Sequence, residues 1–489
     1  MDVLASALKG LRFALKTGGK SSKKNLVTPI EHTEFDYVAT PKSDRFTLGY
    51  SSASILPPDV LKKTYYIAGY QGNKPAKGVL DEPCAHAVWL DDGSGHGGIV
   101  LVSLDAVGML NYDVNIIRNR LKDFAMLTGC RSINIVCTHN HAGIDTMGIW
   151  GPLPISGKNP KYMKLIGDTV VRCVECAYAS RQKGHLYKGT VEVEDMQEDI
   201  RLPIVYSKTL TRLRFVPENG SRETWILNFA SHSESLQGCN ERVSADFPAY
   251  LRERIAEKAG AQVLYCVGCI GGMISMEIPD EREIRDTTND FAESTKRIGY
   301  RLADYALDIK DETELRPRIS FIRREFYFDV DNTVLMIAAK AGILKATEYH
   351  NPEAPLSHCM KSEMSYFEID THKVLMLPGE LFPELAYGGY LSADECATGF
   401  APEGINPTPL TKIAGEDIMF IGLANDEVGY ILPPNDYLLD EKSPYAETPR
   451  DRLDRRHYEE TNSLGPKTAV KIADEFKEIL AAVEKAKNP

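Results

Sequence analysis

Ile133-Asn134-Ile135-Val136-Cys137-Thr138-His139-Asn140-His141-Ala142-Gly143 decides how this chain is read. A short strand-like run passes directly into two histidines spaced i, i+2. In an extended segment such positions share a face, so two imidazoles are presented together at a strand end. Open α/β sheets place their sites at such ends, and neutral imidazole is the commonest metal ligand. Small Ala142 and Gly143 turn the chain and leave room. The competing reading is a pair of polar loop histidines, because His-x-His alone is a modest motif.

Strands and helices alternate around this stretch, which predicts a mixed α/β fold. Ile99-Val100-Leu101-Val102-Ser103-Leu104 is a buried strand by its apolar run, followed by a helical stretch to about residue 128. Strands are predicted near 210–216, 224–230, 262–267, 317–329, 365–377 and 417–423. Helices are predicted near 160–182, 246–258, 288–308 and 467–486, the last after Gly465-Pro466. The Pro-rich stretches 391–413 and 433–456 read as ordered insertions over a site.

Composition narrows the function class. Of 489 residues, 43% are hydrophobic and 26% charged, as in globular domains. With 69 acidic against 57 basic residues the net charge is −12, which argues against nucleic acid as a partner. No apolar run is long enough for a membrane span, and no secretory leader is evident, so a cytoplasmic location is expected. Ten cysteines in so long a chain read as free thiols. Cys173-x-x-Cys176 and Cys266-x-x-Cys269 have zinc-ligand spacing, but both lie in apolar segments and read as core.

Residues 1–45 form an N-terminal basic amphipathic segment, and 46–489 form one catalytic-type domain. Leu4, Leu8, Leu11 and Leu15 share a helical face, with Lys9, Arg12 and Lys16 off it, and Gly18-Gly19 is expected to end the helix. A basic amphipathic helix can lie on an anionic membrane, which makes residues 1–25 a candidate peripheral contact at the inner membrane surface. The alternative is a terminal helix docked on the domain.

Further along, His232 closes the apolar run Asn228-Phe229-Ala230-Ser231 and gains meaning only as a third member of a cluster. Ser244-Ala245-Asp246-Phe247-Pro248 reads as a helix start with Asp246 near the cap. Glu380 follows Leu375-Met376-Leu377-Pro378-Gly379 at a strand end, and Glu384 one turn later reads as an ordinary first-turn acid.

In this order, Thr138-His139-Asn140-His141-Ala142-Gly143, Ser231-His232, Ser244-Ala245-Asp246-Phe247-Pro248, Pro378-Gly379-Glu380, Gly429-Tyr430 and Tyr458-Glu459 resemble the catalytic domain of the neutral/alkaline non-lysosomal ceramidases. The resemblance implies a mixed-sheet α/β domain, here without the C-terminal immunoglobulin-like domain of larger members. It implies one Zn2+ held by His139, His232, Glu380 and Tyr430, with His141 beside the metal-activated water and Tyr458 on the substrate carbonyl. The implied activity is zinc-dependent hydrolysis of an amide or ester in a small-molecule or lipid-like acyl substrate. A catalytically silent zinc- or lipid-binding protein on the same fold is the alternative.

The chain departs from the family pattern in two places. Ala142 and Ile144 replace a serine and a proline after the His-x-His. In Gly268-Cys269-Ile270-Gly271-Gly272-Met273-Ile274-Ser275, Gly272 replaces an aspartate, and the family's serine falls on Ile274 or, one residue on, Ser275. Arg201 is weighed both as a substrate-binding arginine and as a structural ion-pair partner.

Overall fold

The computed structural model describes residues 3–29, 32–276, 291–415 and 418–488. Two mixed sheets stack face to face. Among the described residues the first has nine strands, running in space from Gln262–Val267 through Thr224–Phe229, Thr209–Pro217, Gln182–Glu192, Phe46–Ser54, Cys84–Asp91 and Ile99–Leu104 to Ser132–Cys137, with Glu312–Leu315 beside Gln182–Glu192. The second runs from His32–Asp36 through Ile319–Asp329, Cys359–Ile369 and His372–Met376 to Ile418–Ile421, with Glu348–Tyr349 beside Cys359–Ile369.

Period-two side-chain alternation builds the layers. In Cys84–Asp91, Ala85, Ala87 and Trp89 pack toward the helices, while Val88 and Leu90 face the other sheet. Phe46, Leu213, Phe215 and Ile226 from the first sheet meet Phe321, Phe367, Val374 and Met419 from the second. Phe321 and Phe367 stack at 5.0 Å. Helices Pro160–Ala179, Phe247–Ala259 and Ala292–Leu307 cover the outer face of the first sheet, and Thr468–Lys487 covers that of the second. The result is a four-layer helix–sheet–sheet–helix stack, which is of the expected mixed α/β class.

The parallel strands Ile99–Leu104 and Ser132–Cys137 have the expected bounds to within one residue. Three expectations need correction. The stretch 365–377 is not one strand but two, Cys359–Ile369 and His372–Met376, reversed through Asp370 in a left-handed conformation (φ 54°). The helical stretch to 128 is two helices, Asn111–Arg120 and Lys122–Thr128, broken at Leu121. Gly18-Gly19 does not end the first helix, which runs Val3–Ser21. The helix predicted from 288 begins at Ala292 among the described residues, and 288–290 lie outside them. Strands Phe46–Ser54, Cys84–Asp91 and Gln182–Glu192 carry no clean apolar period and are not foreseen.

The first helix docks on the domain by part of its stripe. Leu8 is buried and Leu15 packs against the second-sheet core, while Leu4 and Leu11 stay 45% and 44% exposed. The Arg12 guanidinium donates to the Asp331 carbonyl at 2.8 Å and pairs with its carboxylate. Among the described residues no helix is long and apolar enough to cross a membrane. No disulfide is formed among the described residues, and Cys176 is exposed rather than core.

Candidate metal centre

The site forms where one edge of the first sheet is stitched to the second. Strand Ser132–Cys137 ends that sheet, and its outer side is taken by the loop after Ile418–Ile421. The Cys137 N–H donates to the Leu423 carbonyl at 3.2 Å, and the Asn425 N–H to the Ile135 carbonyl at 2.7 Å. This pairing carries residues 425–430 across to the histidines.

His139 does not continue the strand. Its φ is 54°, left-handed and uncommon for a non-glycine residue. The two imidazoles therefore converge by a turn rather than by the pleat that their spacing implies. The Asn140 side chain fixes that turn, donating to the Ser244 carbonyl at 2.7 Å and accepting from the Ala142 N–H at 2.9 Å. The His141 N–H donates to the Ser233 carbonyl at 2.9 Å, tying this loop to the one that carries His232. Asp246, itself capping Phe247–Ala259, accepts from the N–H groups of Ser235 and Leu236 and closes the His232 loop.

His139, His141 and His232 are all buried and offer ligand atoms within 4.8 Å of one another. His139 and His232 are oriented alike. The Nδ1–H of His139 donates to the Val107 carbonyl at 2.7 Å, and that of His232 to the Ile274 carbonyl at 2.8 Å. Each leaves Nε2 facing the same Glu380 oxygen, at 3.4 Å and 3.1 Å respectively. A backbone acceptor that fixes the tautomer is the usual support for a metal-ligating histidine. His141 differs: neither of its buried nitrogens has a hydrogen-bond partner.

Glu380 reaches this point through the turn at Gly379, whose φ is 90°. A Cβ there would lie 2.6 Å from the Gly429 carbonyl oxygen, so only glycine lets the two segments touch. Glu380 pairs in parallel register with Tyr430, which sets both side chains side by side. The Tyr430 and Tyr458 hydroxyls hydrogen-bond at 2.8 Å, and the Met273 sulfur accepts from Tyr458 at 2.8 Å.

Two acids at the site escape sequence reasoning. Glu234 lies 3.4 Å from His141 Nδ1 and accepts from the Tyr70 hydroxyl at 2.8 Å and from the Ser275 hydroxyl. The signal was present in Ser231-His232-Ser233-Glu234, an acid two residues past the histidine. Glu427 is buried nearby and accepts from the Gly429 N–H at 2.8 Å. Arg201 is spent on Asp436, Glu459 and Glu460 at 3.1, 2.6 and 3.0 Å, the structural alternative weighed for it.

The protonation pattern follows from burial and neighbours. Burial, with the adjoining His139, lowers the His141 pKa to about 3 and keeps the ring neutral. For His232 burial acts the same way but is outweighed by Glu234 and Glu380, which raise its pKa to about 9. Burial alone would raise the Glu380 pKa; His139 and His232 instead hold it well below the usual carboxylate range. Burial and the Glu380 charge push Glu427 far up, so it keeps its proton. With a cation held among these groups, His232 would be neutral and Glu380 ionised. Two oriented imidazoles, one carboxylate and an adjacent phenol therefore fit a zinc-type ion.

No family model matches the chain, and no curated relative does. Solved structures do match. The neutral ceramidase from Pseudomonas aeruginosa superposes over 91% of this chain and 75% of its own, with a TM-score of 0.66 at 17% identity. A ceramidase complexed with C2 gives the same TM-score and coverage of this chain, with 76% of its own length, at 16% identity. The chain thus has the neutral-ceramidase fold.

Proposed function

We propose that this protein is a zinc-dependent, ceramidase-like hydrolase of an amide or ester bond in a small or lipid-like acyl substrate. The observation that carries the reading is the shared aim of His139 and His232. Both aim Nε2 at one Glu380 oxygen while their Nδ1–H groups are tied to backbone carbonyls. His139, His232 and Glu380 hold the ion, and Tyr430 supplies a further oxygen. Zinc so held contributes positive charge that polarises a carbonyl and acidifies water.

The chain's own residues perform the remaining work. His141, neutral at pH 7, accepts the proton of the attacking water at Nε2. Glu234 faces its Nδ1 and stabilises the imidazolium that results. His141 then returns the proton to the leaving nitrogen or oxygen. Burial raises the Tyr458 pKa, so its hydroxyl stays a donor for the developing oxyanion. Ser275 contributes indirectly, by holding Glu234.

A silent binding protein is the second reading, and Met273 favours it. Its sulfur takes the Tyr458 proton that an oxyanion requires. Zinc-reconstituted protein assayed on a panel of N-acyl amides and acyl esters, with His232→Ala as the blank, separates the two. Acid release that depends on zinc and on His232 supports the hydrolase. Stoichiometric zinc without turnover on any member replaces it with the binding reading.

A further inference from the structure

We propose that Glu348, His350 and His358 bind a divalent ion of the zinc class, forming a second metal site within a single hairpin. Strand pairing brings them together. Tyr349 and Cys359 are ladder partners, so His350 and His358 are the next pair along the same hairpin. Glu348 lies two residues before His350 and shares its face. The three offer ligand atoms within 4.8 Å of one another. Glu348 Oε1 stands 2.7 Å from His358 Nε2 and 3.5 Å from His350 Nε2, and the two rings lie 5.0 Å apart.

The tautomer argument of the central site applies again. The His358 Nδ1–H donates to the Leu356 carbonyl at 2.6 Å, leaving Nε2 with a lone pair aimed at a carboxylate oxygen. Two acceptors at that distance require a proton or a cation between them. His350 Nδ1 is buried without a hydrogen-bond partner. His358 is 2% exposed and His350 12%, so the donors are dry enough for ligation to matter.

The N-terminal segment covers this cluster. The His350 N–H donates to the Asn25 carbonyl at 2.8 Å, and the Val27 N–H to the His350 carbonyl at 3.0 Å. A Cβ on Gly19 would lie 2.7 Å from the His358 ring and 2.8 Å from the Ser357 carbonyl oxygen, so the helix backbone rests directly on the imidazole. Lys340 Nζ meets both Glu348 oxygens at 2.6 Å and competes with an ion for them.

Metal-stripped full-length protein titrated with Co2+ tests the site. Wild type takes up one equivalent more than Glu348→Gln or the His350→Ala/His358→Ala double variant, and His232→Ala retains that equivalent. Lys340→Met, which removes the competing ammonium from a half-exposed position, binds the same ion about tenfold more tightly. Equal uptake by wild type and Glu348→Gln overturns the proposal and leaves a shared proton as the occupant. Unchanged or weaker binding by Lys340→Met overturns it independently, whether or not the hairpin variants fold.

Discussion

The two histidine–carboxylate clusters of this protein use the same local device and are assembled in opposite ways. In both, a backbone carbonyl fixes Nδ1 and aims Nε2 at a glutamate. The central cluster gathers positions 139, 141, 232 and 380 from three separate segments at a junction of two sheets. The peripheral cluster spans only 348 to 358. The central one also carries a third imidazole with no hydrogen-bond partner and a pair of hydrogen-bonded tyrosines. The peripheral one is capped by an N-terminal helix and neutralised by a lysine. Ligation needs only oriented donors; chemistry needs, besides, groups left free to change state.

The largest effect that tests this contrast is removal of a central ligand. His139→Ala or His232→Ala abolishes zinc at that site and all turnover, while the peripheral cluster retains its ion; metal analysis alongside an acyl-hydrolysis assay reads both. His141→Gln and Glu234→Gln should keep the zinc but lower kcat by about 10²- to 10⁴-fold, the usual contribution of a positioned acid or base. Tyr458→Phe removes one oxyanion donor and lowers kcat by about 10²- to 10³-fold at unchanged metal content. Turnover unchanged in Tyr458→Phe would confine that hydroxyl to its bonds with Met273 and Tyr430.

A smaller effect contrasts two buried glutamates four residues apart, Glu380 in a strand and Glu384 in the first turn of the helix that follows. Glu380 is held charged by its histidines, whereas burial raises the Glu384 pKa to about 8. A carboxyl whose folded pKa exceeds its unfolded one stabilises the fold fully below the unfolded value. That contribution disappears as pH rises through the folded value. Glu384→Gln should therefore leave Tm nearly unchanged at pH 5 and raise it by a few degrees at pH 9. Thermal unfolding at both pH values checks this; equal shifts at both would show that Glu384 does not hold the proton.

The central cluster was largely legible because its members sit at strand ends with small neighbours, in segments such as Cys137-Thr138-His139 and Pro378-Gly379-Glu380. The parallel strands before His139 were legible for the same reason, being continuous apolar runs. The geometry at His139 was not, because a left-handed turn leaves no apolar period to read. Glu234 and Glu427 were missed since an acid in a polar loop has the same local signature whether buried or exposed. The peripheral cluster was invisible for another reason. His350 and His358 are eight residues apart, and only the register of Tyr349 against Cys359 makes them neighbours. The first helix ran past Gly18-Gly19 because its end packs on His358, where tertiary contact outweighs helix propensity.

The stitch between Ser132–Cys137 and the loop at Leu423–Asn425 bears on when the central site comes into being. Its partners are separated by nearly 300 positions in sequence, as in the contact of the Asn425 side chain with the Ile135 N–H. Contacts of such separation form late, because loop closure precedes any gain from them. A nascent chain carrying only the first sheet holds His139, His141 and His232 but not Glu380, and cannot yet fix the ion. On the proposed function, metal capture at this centre would thus mark completed folding, whereas the hairpin from 348 to 358 has its donors as soon as it closes.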